Sequence, residues 1–176
     1  MKTVKNILIG LAFLGIAGFT TSCHKDDPLY AMSNQDFVTQ ASSGNMFEIA
    51  AGNLALHNTT NTDIQAFGNH MITDHGAAAT EMATLASHKG WAIPTAMLQK
   101  DQANLSTLSS LNGTAFDQQF AAMMVTSHQQ TIDLFKRAAA EHGVPDADLR
   151  SFASGKLPTL NAHLQEAEQL QANVGQ

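Results

Sequence analysis

Four ionisable side chains, Glu48, His75, His128 and His163, each fall on a line of residues that is otherwise small or apolar at helical spacing. Two of them close strings that nearly repeat: FGNHMITDH at 67–75 and FAAMMVTSH at 120–128, both of the form Phe-x-x-x-Met-[Ile/Val]-Thr-x-His. Three imidazoles and a carboxylate meeting across a helical core would make a shell for one divalent transition ion, such as Zn, Fe(II), Mn or Cu(II). Asp74 stands roughly a hundred degrees round the helix from His75, which places it behind a ligand as a hydrogen-bond acceptor better than on the same face. The other reading is a core without an ion, in which the same His and Glu satisfy one another, because buried polar groups are costly unless they meet. Met71, Met82, Met123 and Met124 read as core filler, although thioethers beside imidazoles also suit copper. His57, His88 and His142 fall in last turns of helices, where positive charge is favoured, and His70 lies off the apolar stripe.

Those side chains need helices to aim them, and the chain reads as helical throughout: Ala, Gln, Leu and Met are abundant and apolar residues recur at three and four. Ser33-Asn34-Gln35-Asp36 resembles a capping box and opens a first helix ending near Asn58. Its inward line is Phe37, Ala41, Gly44, Glu48, Ala51 and Ala55, small enough for a neighbour to approach closely. A second helix spans Thr62 to Lys89, stopped by Gly90, with Ile64, Phe67, Met71, His75, Ala78, Met82 and Leu85 on one stripe. Thr114-Ala115-Phe116-Asp117 opens the third long helix, with Met124, His128, Ile132 and Phe135 inward, and Gly143 with Pro145 closes it. The last runs from about Asp146 to Asn173, with an interruption expected at Gly155-Lys156-Leu157-Pro158, where Pro158 would restart it as a first residue. Residues 90–113 hold a shorter helix around Ala96 to Leu111. Two helix pairs joined by one long connection predict an all-α, ferritin-like four-helix bundle with a short helix in the crossover.

Ahead of that domain, Lys2 and Lys5 precede an apolar run from Ile7 to Phe19, too short for a stable membrane helix but suited to a secretory signal over residues 1–22. The run ends in Thr20-Thr21-Ser22-Cys23, which resembles a bacterial lipobox with Thr20 where Leu is usual, so Cys23, the one cysteine, is the expected lipid attachment point. His24-Lys25-Asp26-Asp27 is similar to the export signal that follows the lipidated cysteine in surface lipoproteins of Bacteroidota. Residues 23–32 read as a polar tether unlikely to pack, and 33–174 as the domain. Two of the nine basic residues, Lys2 and Lys5, leave with the signal, so seven face fifteen acidic ones and the formal charge goes from -6 to -8. That acidity argues against nucleic acid as a partner. The lipid would hold the chain at the outer membrane, exposed at the cell surface or, failing that, in the periplasm.

Turnover chemistry is not the expectation. A di-iron or di-manganese bundle needs several inward carboxylates and Glu-x-x-His pairs, whereas this chain has no such pair and five glutamates in all. It has no Gly-rich phosphate loop, no Ser-His-Asp order and no free catalytic cysteine. Asp36-Phe37, Glu48, Met71-Ile72-x-Asp74-His75, Phe116-Asp117, His128 and Leu157-Pro158 with His163 resemble the pattern of the bacterial family called domain of unknown function 4142, over about residues 32 to 172. The resemblance implies a ferritin-like bundle, exported or lipid-anchored, without an established reaction. The Met-Ile-x-Asp-His stretch is also similar to Met- and His-rich envelope proteins connected with copper, which carry His-His where this chain has Asp74-His75. The expected protein is therefore an envelope bundle binding a divalent metal through Glu48, His75, His128 and His163 with Asp74 behind them, or alternatively a structural or ligand-binding envelope protein with a hydrogen-bonded His/Glu core.

Overall fold

Five helices carry the described residues, 29–175, of a computed structural model: α1 Asn34–Asn58, α2 Thr62–Lys89, α3 Gln99–Ser109, α4 Gly113–Ala139 and α5 Ala147–Val174. The signal segment, Cys23 and most of the tether lie outside the described residues. α1, α2 and α5 start on side-chain caps. Ser33 Oγ accepts the Asp36 N–H at 3.0 Å, Asn61 Oδ1 accepts that of Asp63 at 3.0 Å, and Asp146 Oδ1 that of Leu149 at 3.0 Å. Gly90 takes φ 74°, the left-handed conformation that ends α2.

α1 packs along α2 and α4 along α5, while residues 90–112 carry the chain between the two hairpins with α3 seated on α1 and α4. This is the all-α four-helix bundle with a short helix in its crossover. The crossover is fastened at several points. Ser43 Oγ donates to the buried carboxylate of Asp101 and accepts the Leu98 N–H at 2.8 Å, and Gln35 bonds both the N–H and the C=O of Ala92. Lys89 Nζ reaches Asp146 at 2.8 Å and Asp148 at 2.7 Å, joining the end of the first hairpin to the start of the last helix.

Two expectations are corrected. α5 is one continuous helix with Pro158 inside it. A proline there removes one hydrogen bond, to the carbonyl of Ser154, but Ser154 and Gly155 face solvent, while Phe152, Ala153 and Leu160 hold the inner face in the core. The tether also packs at its end. The Ala31 N–H bonds the His142 carbonyl at 2.7 Å and the Met32 N–H that of Gly143 at 3.1 Å, Tyr30 lies edge-on to His142, and Met32 packs on the core.

The interior forms two apolar clusters. One gathers Phe47, Phe67, Met71, Phe116, Phe120 and Met124; the other Phe37, Met82, Ile132, Phe135, Leu149 and Phe152. Between them every long helix contributes buried polar residues, among them Asn45 and Glu48 on α1, His75 on α2, His128 on α4 and His163 on α5. The crossing of α1 on α2 depends on Gly52 and Gly68. A Cβ on Gly52 would stand 2.5 Å from the Gly68 carbonyl oxygen, and one on Gly68 would stand 2.8 Å from Ala55 Cβ. Gly155, in contrast, faces open space. Gly52→Ala should therefore lose about 2 kcal/mol in urea unfolding, an overpacking cost of about 3 less about 1 for better helix propensity, whereas Gly155→Ala should gain up to about 1 kcal/mol. Equal effects at the two positions would mean that the helices do not cross as closely as described.

Candidate metal centre

His75, His128 and His163 come from three different helices, and one nitrogen of each lies within 4.8 Å of the others. Ring centroids are 5.7 Å apart for His75 and His128, 5.5 Å for His75 and His163, and 5.4 Å for His128 and His163. All three rings are buried. Each is held through one nitrogen only. His75 Nδ1 bonds Asn45 Oδ1 at 3.0 Å, His128 Nδ1 the Met124 carbonyl at 2.8 Å, and His163 Nε2 Asp74 Oδ2 at 2.9 Å. All three partners are acceptors, so the held nitrogen carries the proton. The opposite nitrogens, His75 Nε2, His128 Nε2 and His163 Nδ1, are buried without a hydrogen-bond partner and present lone pairs.

Electrostatics keep the rings in that form. Burial, then the neighbouring His128 and His163, push the His75 pKa down to about 3. Burial lowers His128 and His163 as well, against the opposing Met124 carbonyl and Asp74 carboxylate respectively. At neutral pH the three rings are therefore neutral, the form that binds metal. The orphaned lone pairs, the one-point anchoring and the neutral charge state suit a divalent ion bound by imidazoles, and an acceptor behind each ring is the arrangement that orients a ligating histidine.

Glu48 does not join the three rings. Its Oε1 stands 3.9 Å from His128 Nδ1, the nitrogen already engaged with Met124, and accepts the Ser127 hydroxyl. Its Oε2 is buried without a partner, and burial raises its pKa to about 7 against the opposing Ser127 hydrogen bond. Asp74 is the acceptor for His163, on α5, although it neighbours His75 in sequence. His70 faces Glu166 at 3.2 Å on the surface. Sequence reasoning passed over Asn45 and Ser127. The available signal was a polar run, Ser42-Ser43-Gly44-Asn45, inside a helix whose other inward positions are small or apolar. A pocket of about 210 Å³ is bordered by His75 and His163 together with Asn45, Asp74, Phe135 and Leu160.

In metal-free protein the buried groups pull stability in opposite directions as pH falls. His75 goes from an ordinary 6.5 to about 3 in the fold, so the unfolded chain takes up that proton first and stability is lost from about pH 6.5 downward. Glu48 goes from 4.5 to about 7, so the fold holds its proton more tightly and stability is gained as pH falls from about 7 to about 4.5. Between pH 7 and pH 5 each effect is on the order of 2 kcal/mol, with opposite sign. Metal-free Glu48→Gln should accordingly lose on the order of 2 kcal/mol more than the parent chain over that interval, and His75→Gln about as much less, measured as urea midpoints. Identical pH slopes in all three proteins would contradict the burial-driven shifts.

Structures of similar shape are those of CopM in a Cu(II)-bound form, with 15% identity, TM-score 0.64, and coverage of 81% of this chain and 98% of that one, and of CopM in an Ag-bound form, with 16% identity, TM-score 0.63 and coverage of 81% and 97%. A crystallised fragment of a DUF305 protein from Deinococcus radiodurans is similar at 12% identity and TM-score 0.68, covering 84% of this chain and 98% of that chain. At such identities the likeness speaks to the fold. No curated protein sequence matches the chain. The family described as a domain of unknown function, DUF4142, matches residues 20–170, nearly the whole of the bundle, and the chain belongs to that family.

Proposed function

We propose that this chain is a lipid-anchored helical bundle of the bacterial cell envelope that binds one divalent transition-metal ion through His75 Nε2, His128 Nε2 and His163 Nδ1. The observation that carries the reading is three buried imidazoles with ligand nitrogens within 4.8 Å of one another, each ring keeping one nitrogen without a hydrogen-bond partner. A core held only by hydrogen bonds would pair such atoms, because an orphaned buried acceptor is costly. The bound metal would act as a Lewis acid at the bundle's centre. Three nitrogen donors without a thiolate favour Cu(II) or Zn(II) over the softer Cu(I) and Ag(I), and Cu(II) stands highest in the divalent series. CopM, a protein of similar fold, has both a Cu(II)-bound and an Ag-bound form, which supports a metal in such a bundle without choosing between hard and soft ions. Asp74 would hold the His163 ring in its ligating orientation, and Glu48 would place a carboxylate behind His128.

Elemental analysis of the purified protein after exposure to Cu(II) or Zn(II) and desalting should return one ion per chain. His75→Ala, His128→Ala and His163→Ala should each abolish stoichiometric loading, and Asp74→Asn should weaken it by about 10- to 100-fold. Metal-free protein whose unfolding midpoint is indifferent to chelator and to added ion would favour the hydrogen-bonded core instead.

The envelope placement rests on the lipobox-like segment ending in Cys23 and on Lys25-Asp26-Asp27 after it. Among the described residues no helix is long and apolar enough to cross a membrane. The outer membrane is the proposed location, with the bundle exposed at the cell surface. Cys23→Ser should fail to incorporate labelled fatty acid and should leave the membrane fraction, while protease added to intact cells should cleave the parent protein. Labelled fatty acid on the Cys23→Ser protein would place the anchor elsewhere.

A further inference from the structure

The large apolar side chains left exposed are gathered at one end of the bundle. Leu29 is 56% exposed and Ile93 39%, and both belong to the end where the chain enters the fold. There the Ala31 and Met32 N–H groups bond to the loop after α4, and the Asp146 N–H donates to Asn34 Oδ1 at 3.0 Å. Ala92, beside Ile93, is bonded to Gln35 through both backbone groups. Tyr30 and Trp91, both half-buried, stand at the same end, with Trp91 packed on the core. Aromatic side chains with an apolar body and a polar tip are favoured at the level of lipid headgroups.

Charge divides the molecule along the same axis. All Lys and Arg but Lys2, Lys5 and Lys25 fall in the described residues, and each lies at the height of the histidine layer or nearer the entry end. Beyond the layer the helices carry Asp63, Asp117, Glu166 and Glu168 and no Lys or Arg. At the entry end the signs are mixed, with Lys89 between Asp146 and Asp148. A contact there is therefore apolar in origin, and charge decides which end turns away from an anionic surface.

We propose that the entry end, with Leu29, Tyr30, Trp91 and Ile93, rests on the surface of the lipid bilayer, so that the bundle stands upright with its acidic end outermost. The inference rests on the lipid-anchor reading above and names the surface against which the anchored bundle docks. Cys23 is six residues before Leu29, a separation that spans at most about 22 Å, whereas the 28 residues of α2 are about 42 Å long. The anchor therefore keeps the entry end near the bilayer and bars the far end from being the sole contact. Four side chains would hold a free protein at a membrane only weakly, but a tether raises their effective concentration until a weak contact is occupied.

Trp91, the one tryptophan, is the probe. Full-length lipidated protein is reconstituted into vesicles of phosphatidylethanolamine and phosphatidylglycerol, with or without bromine on the acyl chains near the headgroups. Bromine should remove about half or more of the Trp91 emission, as expected of an indole at the interface. Emission from Ala66→Trp or Ser109→Trp, each combined with Trp91→Phe and each at an exposed position beyond the histidine layer, should be unchanged. Leu29→Asp with Ile93→Asp should keep the lipid on Cys23 and the urea midpoint while cutting the Trp91 quenching at least about twofold, because a carboxylate is costly in an apolar contact. Trp91 emission indifferent to bromine, in protein that carries lipid and floats with the vesicles, would overturn the inference and leave the anchor standing. So would comparable quenching from either distal tryptophan, the sign of a bundle lying on its side, or undiminished quenching in the folded double-aspartate protein. Protein that lacks lipid on Cys23 and does not float with vesicles would remove both readings.

Discussion

Three neutral imidazoles at mid-height in the bundle, each tied down through a single N–H, set the terms for the surrounding structure. Burying such rings is unfavourable unless their polar atoms find partners. Half of that requirement is met locally by Asn45, the Met124 carbonyl and Asp74. The other half is unmet, since each ring keeps one buried nitrogen without a partner in a cluster whose ligand nitrogens lie within 4.8 Å of one another. Because the three acceptors sit on α1, α4 and α2, the ring positions depend on helices from both hairpins being in place together.

The two apolar clusters provide that alignment. Phe67, Phe116, Phe120 and Met124 fill the core on one side of the rings, and Phe37, Phe135, Leu149 and Phe152 on the other. Close packing on both sides fixes the axial height of each helix, so the polar layer does not slip by a turn. The Gly52 and Gly68 contact brings α1 close enough to α2 for Asn45 to reach the His75 ring. The Ser43 and Asp101 bond seats α3 against α1 two residues from Asn45, linking the crossover to the same layer.

Much of this was legible in the sequence because it follows from periodicity. Inward stripes, the N-cap at Ser33 and the stop at Gly90 are local features that tertiary packing had no reason to override. The convergence of the three histidines was legible for the same reason: each sits on an apolar stripe. Which nitrogen of each ring faces inward was not, since that depends on acceptors up to 89 residues away, as with His163 and Asp74. Glu48 lies on the inward line, yet it turns to Ser127, a partner 79 residues away that its spacing does not reveal. Pro158 misled because the local rule against interior prolines leaves out the packing of Phe152, Ala153 and Leu160 that holds α5 on the core, and here the freed carbonyl belongs to solvent-facing Ser154, where water can satisfy it.

The near-identical strings on α2 and α4 take their meaning from where they sit. Phe67 meets Phe120 at 6.1 Å and His75 meets His128 at 5.7 Å, so the two strings run in the same direction and in register. Tandem copying of an ancestral hairpin would have left the likeness between α1 and α4, or between α2 and α5. The likeness instead joins the second helix of one hairpin to the first helix of the other, where it sets Phe against Phe and His against His at matching heights across one interior.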